Sequence, residues 1–478
     1  MALKLAVVAA FLIIASPAWS RPLADAESRQ VDALVGAALA ESGVPSASVA
    51  IVQNGELAFA KAYGFRSIEP AVPATIHDRY DVGSIQKQFT AAAALALSDD
   101  GKLALDDKVA VYFPDLRASD HITLRQLLSH TSGYRGFFTL EVAPLEARRE
   151  ISPTAIADRW GKAPLDFEPG SRWAYSNTGF TIAGLIVEQA GRAPLMDVIQ
   201  ARIFDPLNMT SAGHLDARPL TATDARGYTR YGLGPPRPAK SVAPGWTFAA
   251  GRLGLTAVDL ARWDQAMIER RILSAPAWSA FEADTRLTDG AAAGYGLGVY
   301  VGEKNGVRRI RHDGSSDGFL AENRVYPDIG LAIVVLVNAD YGHAQTQIAR
   351  GIEGLLLPKP SLRPAAPTGA TRQQEAPQAN PDELRLAKDI YRQLRTGDLD
   401  RSRLSPDLNA YFDEAVLADY RRGLAALGEP RSFVQLRSEP IGGLNASLYE
   451  ISWGAQKLIA VLRVAPAGQV ASFVVFAP

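Results

Sequence analysis

Cysteine is absent from the 478 residues. That absence excludes disulfide staples, thiolate catalysis and Cys-ligated zinc or iron–sulfur centres. Histidine is scarce: there are six, none in an H-E-x-x-H pair, so no metal and no cofactor is expected. Excess charge of either sign is missing too. With 50 Lys and Arg against 51 Asp and Glu the net charge is −1, which removes the electrostatic footprint of a nucleic-acid binder. Past the amino terminus no apolar run reaches the roughly 20 residues that a spanning helix needs. What is present is ordinary globular composition, 47% hydrophobic and 21% charged, which excludes chain-wide disorder.

At the start, Lys4 precedes an apolar run over residues 5–15, broken by Ser16-Pro17. Ala18-Trp19-Ser20 then places small residues at the −3 and −1 positions of a cleavage site. The expectation is a secretory signal over residues 1–20 and an exported protein, periplasmic or extracellular, with no membrane span after cleavage.

Turn chemistry organises the rest. Asn54-Gly55 separates residues 46–53, rich in Val, Ile and Ala, from residues 56–63, and Asn305-Gly306 separates predicted strands over residues 295–301 and 307–312. Asn-Gly between such runs signals a hairpin, because both turn positions need positive φ. Residues 331–337 are apolar throughout and predict a central strand covered on both faces. Helical patterns, clearest over 84–100 and 178–190, fill the middle. Two hairpin-bearing ends with helices between predict a mixed α/β (α+β) fold with one antiparallel sheet built from both chain ends and a helical insertion, over residues 21–357. Six prolines mark residues 358–381 as a linker with few contacts expected across it. Helices at 382–395 and 417–427 and four short strands from 433 to 476 predict a small α+β domain over 382–478.

The chemistry concentrates in three places. Ser84-Ile85-Gln86-Lys87 opens a helix after the turn Asp81-Val82-Gly83, and i, i+3 spacing puts both side chains on one face. A serine at a helix start has unpaired backbone N–H groups beside it, suited to an oxyanion. The lysine points toward an apolar interior that would lower its pKa. Alone the pair is weak, since about one or two S-x-x-K matches arise by chance in such a chain. The bland reading is an N-cap serine with an exposed lysine. Trp173-Ala174-Tyr175-Ser176-Asn177 leads into the second helix; Tyr175 suits a proton carrier, and Asn177 suits a hold on a substrate carbonyl or on the lysine. Arg311-His312-Asp313-Gly314-Ser315 ends a predicted strand, where glycine lets a substrate backbone approach closely.

Together these elements resemble the serine β-lactamase and penicillin-binding-protein superfamily, nearest its class C-like esterase and D-aminopeptidase branch. The likeness runs from about residue 28 to 357 and includes Leu127-Leu128-Ser129-His130-Thr131-Ser132-Gly133. It implies helices on both faces of the sheet and a helical subdomain. By the same resemblance Ser84 is the acylated nucleophile, Lys87 its base or hydrogen-bond partner, and Tyr175 the base and acid. Asn177 would orient substrate, and the N–H groups of Ser84 and Ser315 would form the oxyanion hole. The chain departs from the β-lactamases where K-T-G becomes His312-Asp313-Gly314. A neutral histidine beside an aspartate is a poor dock for a carboxylate, and Asp313 would repel one, so ester or amide substrates lacking that group are expected.

Gly314-Ser315-Ser316-Asp317-Gly318 matches the G-x-S-x-G elbow, but the preceding strand is basic (Arg308, Arg309, Arg311) where an elbow needs a buried apolar strand, so Ser316 is rejected. His130 reads chiefly as support for the cleft, with direct substrate contact the alternative. His77, His121 and His214 read as surface residues. The resulting expectation is an exported serine hydrolase with a small-molecule or peptide substrate. The competing class is a catalytically silent binder of cell-wall peptide or another ligand.

Overall fold

A computed structural model describes residues 22–137, 143–359, 380–441 and 443–477. The expected signal, residues 1–20, and most of the linker lie outside the described residues.

The first long helix, α1 (Asp25–Ser42), stops where Gly43 enters the left-handed region. Strands β1 (Ser46–Gln53) and β2 (Glu56–Ile68) follow around the Asn54-Gly55 turn, with β3 (Ala71–Pro73) at the sheet edge. A short 3₁₀ turn over Gly83–Ile85 leads into α2 (Gln86–Asp99). The middle of the chain supplies α3 (Asn177–Gly191) and α4 (Ala257–Ile268). The chain then returns to the sheet as β4 (Tyr300–Lys304), β5 (Val307–Ser316), β6 (Phe319–Tyr326) and β7 (Leu331–Val337), and α5 (Ala344–Leu356) closes the domain. The seven strands run in the order β3-β2-β1-β7-β6-β5-β4. The two chain ends therefore meet at the β1–β7 pair, as the hairpin signals required.

Strand β7 explains why both faces need helices. Ala332, Val334 and Leu336 enter the core beneath α2, α3 and α4, whereas Ile333, Val335 and Val337 enter the core beneath α1 and α5. Period-2 alternation in an all-apolar strand leaves no face for water.

The carboxy-terminal part has its own core. Helices α6 (Pro381–Thr396), α7 (Pro406–Tyr411) and α8 (Glu414–Ala425) pack on an antiparallel sheet of β8 (Ser432–Ile441), β9 (Leu444–Ser452), β10 (Lys457–Val464) and β11 (Val470–Phe476). The Pro-rich linker implied few contacts between the two parts, and here the structure differs. A hairpin of the larger part, Tyr228–Thr229 paired with Arg237–Pro238, inserts Tyr231 and Leu233 against the smaller core. Arg237 also forms a two-pronged ion pair with the fully buried Asp419, one prong at 2.8 Å. Linker composition reports only on the tether. It carries no information about a hairpin some 120 residues upstream that docks on the same domain.

Candidate active site

The turn before α2 is shaped by a carboxylate. Asp81 accepts the Gly83 N–H at 2.8 Å on one oxygen and the Ser316 hydroxyl at 2.6 Å on the other. One side chain thus ties the serine-bearing turn to the end of β5. Gly83 has φ +50°, and a Cβ there would lie 2.7–2.9 Å from the Ser315 backbone. Asp81 was legible in the sequence only as a turn residue, although an aspartate two before a glycine is the pattern of an Asx turn.

Ser84 sits part-exposed at the mouth of this turn, and α2 carries Lys87 directly beneath it. The amino group lies 3.1 Å from Ser84 Oγ and donates to the Ala250 carbonyl at 2.6 Å. Lys87 is fully buried, and its nitrogen stands 4.7 Å from the Tyr175 ring centre and 5.4 Å from that of Phe180. Burial holds its pKa well below the usual lysine range, with Asp313 acting weakly in the opposite sense. Tyr175 hydrogen-bonds Ser84, yet burial pushes its hydroxyl far above the usual value. Of the two candidate bases, desolvation therefore favours the lysine and keeps the tyrosine protonated.

His130 holds the Tyr175 segment in place. Its Nδ1 accepts the Ser176 N–H at 3.1 Å, its carbonyl accepts the Ala174 N–H at 3.0 Å, and its ring stacks 4.3 Å from that of Tyr175. Ser176 caps α3 by accepting the Gly179 N–H, which leaves Asn177 as the first helical residue, part-exposed beside the site.

Strand β5 divides the third element by alternation. His312 and Gly314 turn inward and are buried, whereas Asp313 and Ser315 turn outward and are exposed. The Asp313 side chain is 56% exposed and pairs with Arg311 at 3.0 Å, and its charge acts on both Lys87 and Tyr175. The His312 Nδ1 meets the Asp313 carbonyl at 2.6 Å and its Nε2 meets the buried Tyr295 hydroxyl at 3.0 Å, so both nitrogens are already satisfied. Burial lowers its pKa to about 4, and it stays neutral at neutral pH. Tyr295 escaped the sequence reading because it lies in a segment read only as strand. Gly314 lies against the chain's own backbone: a Cβ there would lie 2.0 Å from the Val82 carbonyl oxygen. Ser316, rejected above, has its hydroxyl committed to Asp81. His214, read as surface, is buried at 8% exposure with Nε2 3.0 Å from the Phe248 carbonyl, whereas His77 and His121 are exposed. Among the described residues no group of three or more His, Asp or Glu is placed to hold a metal.

The brace has a pH signature. Burial raises Asp81 to about 6 from a carboxylate value near 3.8. Its folded pKa lies above its unfolded one, so this term favours folding fully below pH 3.8 and is lost as pH rises through about 6. The loss is of order 2–3 kcal/mol. Asp81→Asn removes it, so the variant's stability relative to wild type should climb from about pH 3.8 to just above pH 6 in paired thermal melts. A difference that does not move with pH would show that Asp81 does not titrate there.

Comparison with known proteins places this geometry. The β-lactamase family model matches residues 31–355. The PbpX protein of Bacillus subtilis (strain 168) is 28% identical over 261 residues, which span 54% of this chain and 62% of that relative's own length. Protein flp of Staphylococcus aureus (strain N315) is 26% identical over 342 residues, 68% of this chain and 67% of its own. Among solved structures, a D-stereospecific amidohydrolase from Streptomyces sp. superposes with TM-score 0.60 at 27% identity, over 69% of this chain and 98% of its own. An octameric penicillin-binding protein homologue from Pyrococcus abyssi does so with TM-score 0.62 at 20% identity, over 94% of this chain and 96% of its own, a likeness of fold that includes the carboxy-terminal part.

Proposed function

Since the chain belongs to the β-lactamase family, we propose that it is a serine hydrolase that cleaves an ester or amide through an acyl-enzyme on Ser84. The observation that carries this reading is the fully buried Lys87 amino group 3.1 Å from Ser84 Oγ. A lysine with depressed pKa gives up its own proton more readily than an exposed one, and as the free amine it takes the Ser84 proton while Oγ attacks the carbonyl carbon. The Oγ–C bond forms while the carbonyl π electrons move onto oxygen. The family resemblance assigns that oxyanion to the backbone N–H groups of Ser84 and Ser315, and the absence of a Cβ on Gly83 lets the turn approach the Ser315 backbone closely. Collapse expels the leaving group, which takes the Tyr175 proton as the proton held by the Lys87 ammonium passes to the tyrosine oxygen, so no tyrosinate remains and the lysine is again a free amine. Water then repeats the sequence and releases the acid. Asn177, at the start of α3, is the candidate to orient the acyl carbonyl.

The third element sets substrate charge. A neutral His312 with both nitrogens occupied offers no cation to a substrate carboxylate, which supports esters or amides without that group over penicillins. Fluorophosphonate labelling tests the reading: one adduct is expected on wild type and none on Ser84→Ala, with slow or no penicillin turnover. No adduct with fluorophosphonate or penicillin probes would leave a silent ligand binder as the function.

A further inference from the structure

Ser315 belongs to two places at once. It faces the serine-bearing turn, and it also forms the inner end of a cleft of about 810 Å³ that runs outward beneath the carboxy-terminal domain. Ser84 is not part of the wall of this cleft; the two regions meet at Ser315. The far wall is built by the second domain, through Tyr411, Tyr420 and Phe476. A volume of this size holds a drug-sized ligand and greatly exceeds what a short acyl group fills.

Direction along β5 decides which half of a substrate enters. The Tyr175 ring lies 6.4 Å from that of His312, three residues before Ser315, so a leaving group protonated by Tyr175 departs on the His312 side. The cleft opens on the other side, past Ser316 and Asp317. The acyl group is the half that points into it.

The walls also define a charge. Asp317 and Asp340 line the cleft with Glu41, against one guanidinium, that of Arg230. Arg230 stacks 4.3 Å from the Tyr341 ring and donates to the Ser42 carbonyl, while its Nε is buried without a hydrogen-bond partner. Asp317 accepts the Val242 N–H at 2.8 Å and Asp340 the Gly318 N–H at 3.1 Å; neither has a cation within ion-pair distance among the described residues. Arg252 acts on Asp317 only from a distance, tied to Asp216 and to the Val242 carbonyl. Burial raises the pKa of both carboxylates, and the Asp317 charge raises Asp340 further. On the same wall the Thr247 hydroxyl is buried and has no hydrogen-bond partner. A ligand bringing one ammonium group and one acceptor would satisfy all of these, with tyrosine rings beside the cation.

We propose that this interdomain cleft is an acyl-group subsite that takes a long acyl chain ending in an ammonium group, held between Asp317 and Asp340 under the carboxy-terminal domain. The inference rests on the acyl-enzyme reading above and deepens it.

The test uses the full-length protein and p-nitrophenyl esters of acetate, hexanoate and 6-aminohexanoate, which share one leaving group. Wild type should favour 6-aminohexanoate over hexanoate in kcat/KM by about 10-fold or more, the scale of a partly buried charge contact. Asp317→Asn and Asp340→Asn, made singly in case one fails to fold, should each bring that ratio down toward 1. Phe476→Ala should shrink the preference for hexanoate over acetate. A wild-type ratio of 1 or below, with Ser84 still labelled by fluorophosphonate, overturns this inference and spares the hydrolase reading. Loss of labelling in wild type overturns the hydrolase reading itself. A chain-length preference unchanged in Phe476→Ala removes the carboxy-terminal domain from the subsite.

Discussion

Ser84→Ala is expected to abolish turnover of a simple aryl ester, by about 10⁴-fold or more, while the melting temperature stays within a few degrees of wild type. The activity loss follows from removing the hydroxyl oxygen that lies 3.1 Å from the Lys87 amine. The small stability change follows from the site of the substitution. Ser84 is part-exposed in a 3₁₀ turn, and its hydroxyl fills no core volume. Lys87→Ala should also cost about 10²-fold or more, the usual scale for a general base. Unlike Ser84→Ala it vacates a fully buried position bonded to the Ala250 carbonyl, so it should lower stability too. The acid limb of the wild-type kcat/KM profile should fall well below pH 10, because the amine must be deprotonated and burial lowers its pKa. A wild-type esterase rate in purified Ser84→Ala would end the assignment.

Gly314→Ala should be strongly damaging, because the added methyl group falls between β5 and the serine-bearing turn. The added carbon would lie 2.0 Å from the Val82 carbonyl oxygen and 2.9 Å from its carbon, where ordinary contact begins near 3.4 Å. Both clashing atoms are backbone, so relief requires β5 to move from the serine-bearing turn by about 1 Å or more, and a shift of that size at a reacting centre costs about 10²-fold. The Asp81 bridge from Gly83 to Ser316 spans the same gap and would be strained with it. Overpacking adds about 1–3 kcal/mol of instability. Gly302→Ala in neighbouring β4, with nothing within 4 Å of the new carbon, serves as control and should be close to neutral. Steady-state esterase rates and thermal melts of the two variants decide it. Equal behaviour would show that the β5–turn spacing is not set by Gly314.

Much of this molecule follows from local rules that a sequence states openly. The Asn-Gly turns, the all-apolar 331–337 segment and the helix behind Ser84 each depend on neighbours a few residues away, and period and turn chemistry fix them without reference to the rest of the chain. The S-x-x-K pair belongs to the same class, because i, i+3 spacing on a helix is a local fact. What tertiary structure decided are the properties that depend on which remote atoms approach. Lys87 is a base candidate because Ala250, Tyr175 and Phe180, distant in sequence, exclude water around it. His312 is neutral because the closed fold buries it, with Tyr295 on its second nitrogen, and Asp313 is paired because strand alternation puts it on the same face as Arg311. The carboxy-terminal domain walls the cleft because a hairpin far upstream of the Pro-rich tether docks into it. Periodicity gives a residue its face, but burial, charge and partner come only from closure of the whole chain. Desolvation then shifts the energies by amounts that no local pattern encodes.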